Sequence, residues 1–138
     1  MNTVNYEMAQ SAIKAALAKA TELGSPSSIA VIDSGRELVA FVRMDGALLA
    51  SAIISQSKAY TARSLNSTTK DVAGWVQPGG PLFGLDTAHL AAGRALIVFG
   101  GGVPIVVDGE VVGAIGVAGG SPDQDHEVAT AGAKALGK

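Results

Sequence analysis

Between Tyr6 and Leu23 the apolar positions recur at helical spacing. Met8, Ala12, Ile13, Ala16, Leu17 and Ala20 form one stripe, with Lys14 and Lys19 elsewhere on the surface. Gly24 supplies a left-handed stop and Pro26 prevents resumption, so a first helix over 6–23 is predicted. The β-prone run Ser28 to Ile32, the turn Asp33-Ser34-Gly35-Arg36 and the returning run Glu37 to Arg43 predict a hairpin. Ala50 to Leu65 contains no glycine or proline and predicts a second helix. From 66 to 85, Gly74, Pro78, Gly79, Gly80, Pro81 and Gly84 leave room for at most one short helix in a long loop, the kind of connection that often serves function. A short helical piece is expected around Thr87 to Ala92. Ala95 to Phe99 and Val103 to Val107 flank a triple-glycine turn, and Asp108-Gly109 is a strong hairpin dipeptide before Glu110 to Val117. These runs predict a three-stranded meander. Ser121-Pro122-Asp123-Gln124 combines an N-cap serine, proline in the first turn and a capping-box glutamine, opening a last helix that runs to about Leu136. The predicted order is α-β-β-α-(short α)-β-β-β-α. This is an α/β (α+β) fold with a five-stranded antiparallel sheet and helices packed on it.

Composition narrows the function classes. At 138 residues the chain is expected to form one domain over 1–138, with no second domain or internal repeat. It has no cysteine, which excludes disulfides, thiolate metal sites and a cysteine nucleophile. A net charge of -2 without any lysine–arginine cluster argues against a nucleic-acid partner. No run approaches the roughly 20 apolar residues that span a bilayer, and the N-terminus lacks the features of a signal peptide, so a cytoplasmic location is expected. With 48% hydrophobic and only 16% charged residues, the chain has little polar surface, which predicts burial between subunits of a homo-oligomer.

Several words along the chain carry a resemblance. They are Ile29-Ala30-Val31-Ile32-Asp33-Ser34-Gly35, Arg43-Met44-Asp45-Gly46-Ala47 and Lys58-Ala59-Tyr60-Thr61-Ala62. Gly101-Gly102-Val103-Pro104, Val112 to Gly120 and Gln124-Asp125 complete the set. In this order they resemble the GlcG/HbpS-like, "haem-degrading" family, which includes the C-terminal domain of propanediol-utilisation corrinoid adenosyltransferases. The resemblance implies a profilin-like sheet with flanking helices, assembled into dimers or larger rings. It also implies a small-molecule ligand, with haem bound or degraded by some members and catabolic settings for others.

Candidate chemistry follows from particular side chains. Arg43, between a strand and a helix, can clamp a carboxylate with Asp45 orienting it, or the two can brace the corner as an ion pair. Lys58 shares a helical stripe with Ser51, Ser55 and Thr61. Such a stripe on an Ala/Ile-rich helix suggests a wet pocket; the alternative is a solvated outer face. A lysine there can bind an anion, pair with Asp45 or Asp125, or act as a base if desolvation lowers its pKa. Ser55-Gln56-Ser57-Lys58 also spells S-x-x-K, but its companion motifs are absent. Gly119, Gly120 and Ser121 lead into a helix N-terminus, where backbone N–H groups can hold a carboxylate. Gly113 and Gly116, inside a strand, imply a close approach by another backbone or a ligand. Asp125 matches the family word and is a candidate base or Lys58 partner. His89, in the loop-rich stretch, is a candidate acid or base; His126 is the other histidine.

No clustered metal-ligand spacing is present, so no metal is expected. No cofactor is required by the motifs, and haem remains an option with His89, His126, Tyr6, Tyr60 or Met8 as axial donors. The first helix lacks the histidine found there in some haem-binding relatives. The leading expectation is a small-molecule-binding oligomer that hydrolyses or tautomerises an imine or enol acid without a cofactor. Arg43, Asp45, Ser55 and Gly119–Ser121 would bind substrate, with Lys58, Asp125 and His89 as catalytic groups. The alternative is a non-catalytic haem- or corrinoid-related binding or sensing protein.

Overall fold

The structure, a computed structural model, describes residues 2–137; Met1 and Lys138, the two ends of the expected unit 1–138, lie outside the described residues. The first helix, α1 (Tyr6–Leu23), starts at Asn5, whose side chain accepts from the Met8 N–H at 2.9 Å, and stops at Gly24 with φ 63°. Its fully buried stripe is alanine throughout: Ala9, Ala12, Ala16 and Ala20. These small side chains let α1 approach α4 (Pro122–Leu136) closely, and a Cβ at Gly132 of α4 would lie 2.9 Å from the Ala12 carbonyl oxygen.

Four strands, β1 (Ser28–Asp33), β2 (Leu38–Arg43), β3 (Gly102–Val107) and β4 (Glu110–Ala118), form one antiparallel sheet in the order β2-β1-β4-β3. Asp33 Oδ1 accepts from the N–H groups of Gly35 and Glu37, which closes the β1–β2 turn. Asp108 and Gly109 take φ values of 51° and 79°, as a two-residue hairpin turn with both central residues left-handed requires. Alternation divides the sheet into two faces. Ile29, Val31, Ile115 and Val117 pack with α1 and α4, while Ile32 and Ala114 pack with Ala59 and Ala62 of α2 (Ser51–Leu65). Gly116 permits that second contact, since a Cβ there would lie 2.5 Å from the Ala59 nitrogen.

The sheet has four strands, not the expected five. Ala95 to Phe99 joins no strand; its Ile97 N–H donates to the Thr61 hydroxyl of α2 at 2.9 Å. A side-chain oxygen takes the place of a strand edge, and the expected meander becomes the β3–β4 hairpin. The long connection contains α3 (Thr69–Trp75), capped by the Thr68 hydroxyl, which accepts from the Asp71 N–H. Two short 3-10 turns, Leu85–Thr87 and Leu90–Ala92, replace the single helical piece expected there. The last helix has the expected capping box. Ser121 Oγ accepts from the Gln124 N–H and Gln124 Oε1 accepts from the Ser121 N–H. Among the described residues no helix is long and apolar enough to cross a membrane.

Candidate functional site

Lys58 and Asp125 come together from α2 and α4. Lys58 Nζ donates to Asp125 Oδ2 at 2.9 Å and to the Val117 carbonyl at 2.9 Å. Both residues are sealed, at 0% and 2% exposure. The Phe99 ring covers the ammonium, with Nζ 4.9 Å from its centre. Burial pulls the Lys58 ammonium below the ordinary lysine value of 10.5, and the charge and hydrogen bond of Asp125 pull it partly back.

The polar stripe of α2 is therefore buried, and its members find partners in the backbone of α2 and its N-terminal turn as well as in the sheet. The Ser55 hydroxyl donates to the Ala52 carbonyl, and the Thr61 hydroxyl donates to the Ser57 carbonyl. Ser51 donates to the Leu48 carbonyl and pairs with Ser28, whose hydroxyl oxygen is 2.8 Å away. Every hydroxyl on the stripe is satisfied inside the protein, which is what lets polar groups sit there without water.

The glycine turn before α4 does hold a carboxylate, and it is the protein's own. The Gly120 N–H donates to Asp125 Oδ1 at 2.9 Å, and the Ser121 N–H is taken by Gln124. Gly119, at φ 145°, lies under the Pro26–Ser27 backbone.

Arg43 and Asp45 stand apart from this pair. Arg43 is exposed on β2 opposite Ser28, which is itself opposite Ala118, so Arg43 shares one end of the sheet with the Gly119 turn. The two are separated by β1, or about 10 Å at the usual strand spacing. Neither Arg43 nor Asp45 makes a side-chain hydrogen bond or ion pair among the described residues. His89 lies elsewhere again, edge-on to Tyr60 with ring centres 6.1 Å apart. The Nδ1 atoms of His89 and His126 are both buried without a hydrogen-bond partner. Burial, aided by the Lys70 ammonium, lowers the His126 pKa from 6.5 against the opposing pull of nearby carboxylates.

Two surface concavities are relevant. One, of about 450 Å³, runs between α1 and β2 and is lined by Ile13, Leu17, Ala40, Phe41 and Val42, with Tyr6, Gln10 and Lys14 supplying polar groups. Gln10 Nε2 donates to the Tyr6 hydroxyl at 3.0 Å, which steadies the exposed phenol. The other lies between the β1–β2 turn and the end of α2, lined by Ser34, Arg36, Arg63 and Ser64. Neither was legible as a site. Tyr6 opens α1 at one end of its apolar pattern, while Phe41 arrives from β2, so only the packed chain joins them. Tyr60, Arg63 and Ser64 do share a helical face at spacings of three and four, a signal the sequence contains. Among the described residues, no three His, Cys, Asp or Glu side chains are grouped to hold a metal ion.

Comparison with known proteins gives this arrangement its relatives. The family model for "haem degrading protein HbpS-like" matches residues 4–134. A 15.0 kDa protein encoded between dhaT and dhaS in Citrobacter freundii is 39% identical over 92% of this chain and 87% of its own length. The corrinoid adenosyltransferase PduO of Salmonella typhimurium is 37% identical over 84% of this chain, which spans only 34% of that protein. Among solved structures, protein ORFY of Klebsiella pneumoniae superposes with a TM-score of 0.91 at 35% identity, covering 99% of this chain and 92% of that one. A complex of PduOC with haem superposes with a TM-score of 0.88 at 30% identity, covering 97% and 95%.

Proposed function

The chain belongs to the HbpS-like family of haem-degrading proteins, and from that premise we propose that it binds haem or a closely related tetrapyrrole. The observation that carries this reading is the groove between α1 and β2. Its donor set suits the group: an apolar lining from Ile13, Leu17, Phe41 and Val42, with a phenol at Tyr6 and an ammonium at Lys14. A tyrosine oxygen is an accepted axial donor to haem iron, and a lysine can pair with a propionate. Bound haem would supply redox-active iron; the protein supplies the lining, the donor and the cation. The existence of a haem complex of PduOC, 30% identical over nearly the whole chain, supports haem as the ligand class.

The expectation of a cofactor-independent hydrolase or isomerase is less well supported. It needs a substrate to reach Lys58, and neither Lys58 nor Asp125 has surface to offer one in this chain. We give that pair a bracing role between α2, β4 and α4. Homo-oligomer formation stays part of the proposal, supported by Leu48, Leu49 and Ile53, which are 67%, 91% and 75% exposed.

A haem titration followed in the visible spectrum, with size-exclusion mass measured on the same sample, tests the reading. A saturable Soret shift with about micromolar or tighter affinity is expected. Tyr6→Phe should shift the absorption of the complex by removing the donor. Absence of a saturable shift with folded protein overturns the proposal.

A further inference from the structure

The outer face of α2 carries polar groups that neither the buried pair nor the α1–β2 groove uses. Tyr60, 8% exposed, is at their centre. The Arg94 guanidinium lies 3.9 Å from the Tyr60 ring centre and that of Arg36 lies 4.8 Å away. Arg36 Nη1 donates to the Tyr60 hydroxyl at 3.1 Å and to Ser64 Oγ at 3.2 Å. Arg63 is fixed by Nε donating to the Ser34 carbonyl at 2.8 Å and Nη1 donating to Asn66 Oδ1 at 2.7 Å. Its Nη2 has no hydrogen-bond partner among the described residues.

Guanidiniums gathered this closely repel one another unless acids lie between them. Among the described residues no carboxylate pairs with them within 4.0 Å. The ion pairs there join Lys19 to Glu22, Lys58 to Asp125 and Lys70 to Asp123, and none involves an arginine. Asp33, close by in sequence, accepts with Oδ1 from the Gly35 and Glu37 N–H groups, completing the turn. Arg36 itself sits at φ 69°, a backbone conformation that L side chains rarely adopt. The turn itself fixes this conformation, since the Arg36 N–H donates to the Asp33 carbonyl at 3.0 Å, and so sets the direction in which the Arg36 side chain leaves the backbone. Arg36 and Arg63 are held by neutral oxygens and Arg94 by the Tyr60 ring, so their charge is oriented but not neutralised. Between Ser34, Arg36, Arg63 and Ser64 lies a groove of about 210 Å³, less than half the size of the α1–β2 groove.

We propose that this groove binds a small oxyanion, the carboxylate or phosphate group of a polyanionic metabolite, between Arg36 and Arg63. Arg63 supplies its free Nη2 edge, Ser34 its hydroxyl, and Arg94 adds positive charge from across the Tyr60 ring. The planar fork of a guanidinium matches two oxygens of either anion. The volume admits a small acid and is too small for the tetrapyrrole proposed above, so this inference stands independently of that one.

Isothermal titration of the purified chain at low ionic strength, with inorganic phosphate and separately with malonate, tests it. Saturable binding of at least one is expected, and the tighter of the two identifies the ligand as a phosphate or a carboxylate. R36Q and R63Q should each weaken that binding about tenfold to a hundredfold, the scale of a lost charge-assisted hydrogen bond. R63K should recover only part of it, because an ammonium cannot form the planar fork. Thermal melts of each variant establish that it is folded before titration. No saturable heat with either anion, or binding unchanged in both R36Q and R63Q, overturns the proposal.

Discussion

Asp125→Asn isolates the electrostatics of the core while keeping the side chain's shape. In the native protein two donors converge on one carboxylate: Lys58 Nζ on Oδ2 and the Gly120 N–H on Oδ1. An amide offers one oxygen and one NH2, so one of these donors must face another donor. The Lys58 ammonium also keeps its burial at 0% exposure and loses its counter-charge. Removing one partner of a buried ion pair typically destabilises by about 3–5 kcal/mol, a large part of the roughly 5–15 kcal/mol that holds a domain folded. The pH dependence gives the sharper test. Burial already lowers the Lys58 pKa in the folded state, and losing Asp125 removes the charge that opposed the lowering. Between the folded value and 10.5 the unfolded chain binds more protons than the folded one, so stability rises with pH across that window. The window widens in the variant. Its deficit relative to the native protein should therefore be larger at neutral pH than at about pH 9.5. Urea unfolding at both pH values measures this, and the double variant Lys58→Met/Asp125→Leu should recover much of the loss. A deficit that stays constant with pH, or a stable single variant, would refute the reasoning.

Two further outcomes follow from the packing. Gly116→Ala pushes a methyl into the Ser55 carbonyl and the Ala59 nitrogen, forcing α2 off β4; thermal unfolding should show a loss of about 1–3 kcal/mol or more. Lys70→Met removes a positive charge beside His126 and frees Asp123 from its ion pair, so the His126 pKa should rise, as read by NMR titration of the ring protons. A native His126 with its lowered pKa contributes stability that is lost as pH falls through the folded value.

Much of the fold was legible because its signals are local. Gly24 ends α1, Asp108-Gly109 turns the second hairpin, and the Ser121–Gln124 box starts α4. The fifth strand failed for a reason the run Ala95–Phe99 could not contain: its N–H at Ile97 meets a threonine of α2, not a neighbouring strand. The Lys58–Asp125 pairing could be read as one option among several, yet its dryness could not. A polar stripe looks the same in sequence whether it meets water or the carbonyls of Ala52, Ser57 and Val117. Arg36, Arg63 and Arg94 come from a turn, a helix and a loop, and only the folded chain gathers them on Tyr60.

The strand order β2-β1-β4-β3 also fixes when the protein can be completed during synthesis. Each hairpin can form soon after its own residues leave the ribosome. The seam between them joins Ser28 to Ala118 and Asp33 to Gly113, so β1 must wait for most of the chain. Until then the strand carrying Ile29, Val31 and Ile32 presents an open edge and an uncovered apolar face to its surroundings. Long-range closure of this kind slows folding and lengthens exposure to misassembly. The early-formed α1, whose alanine stripe later meets α4, can shield only one side of that strand while it waits.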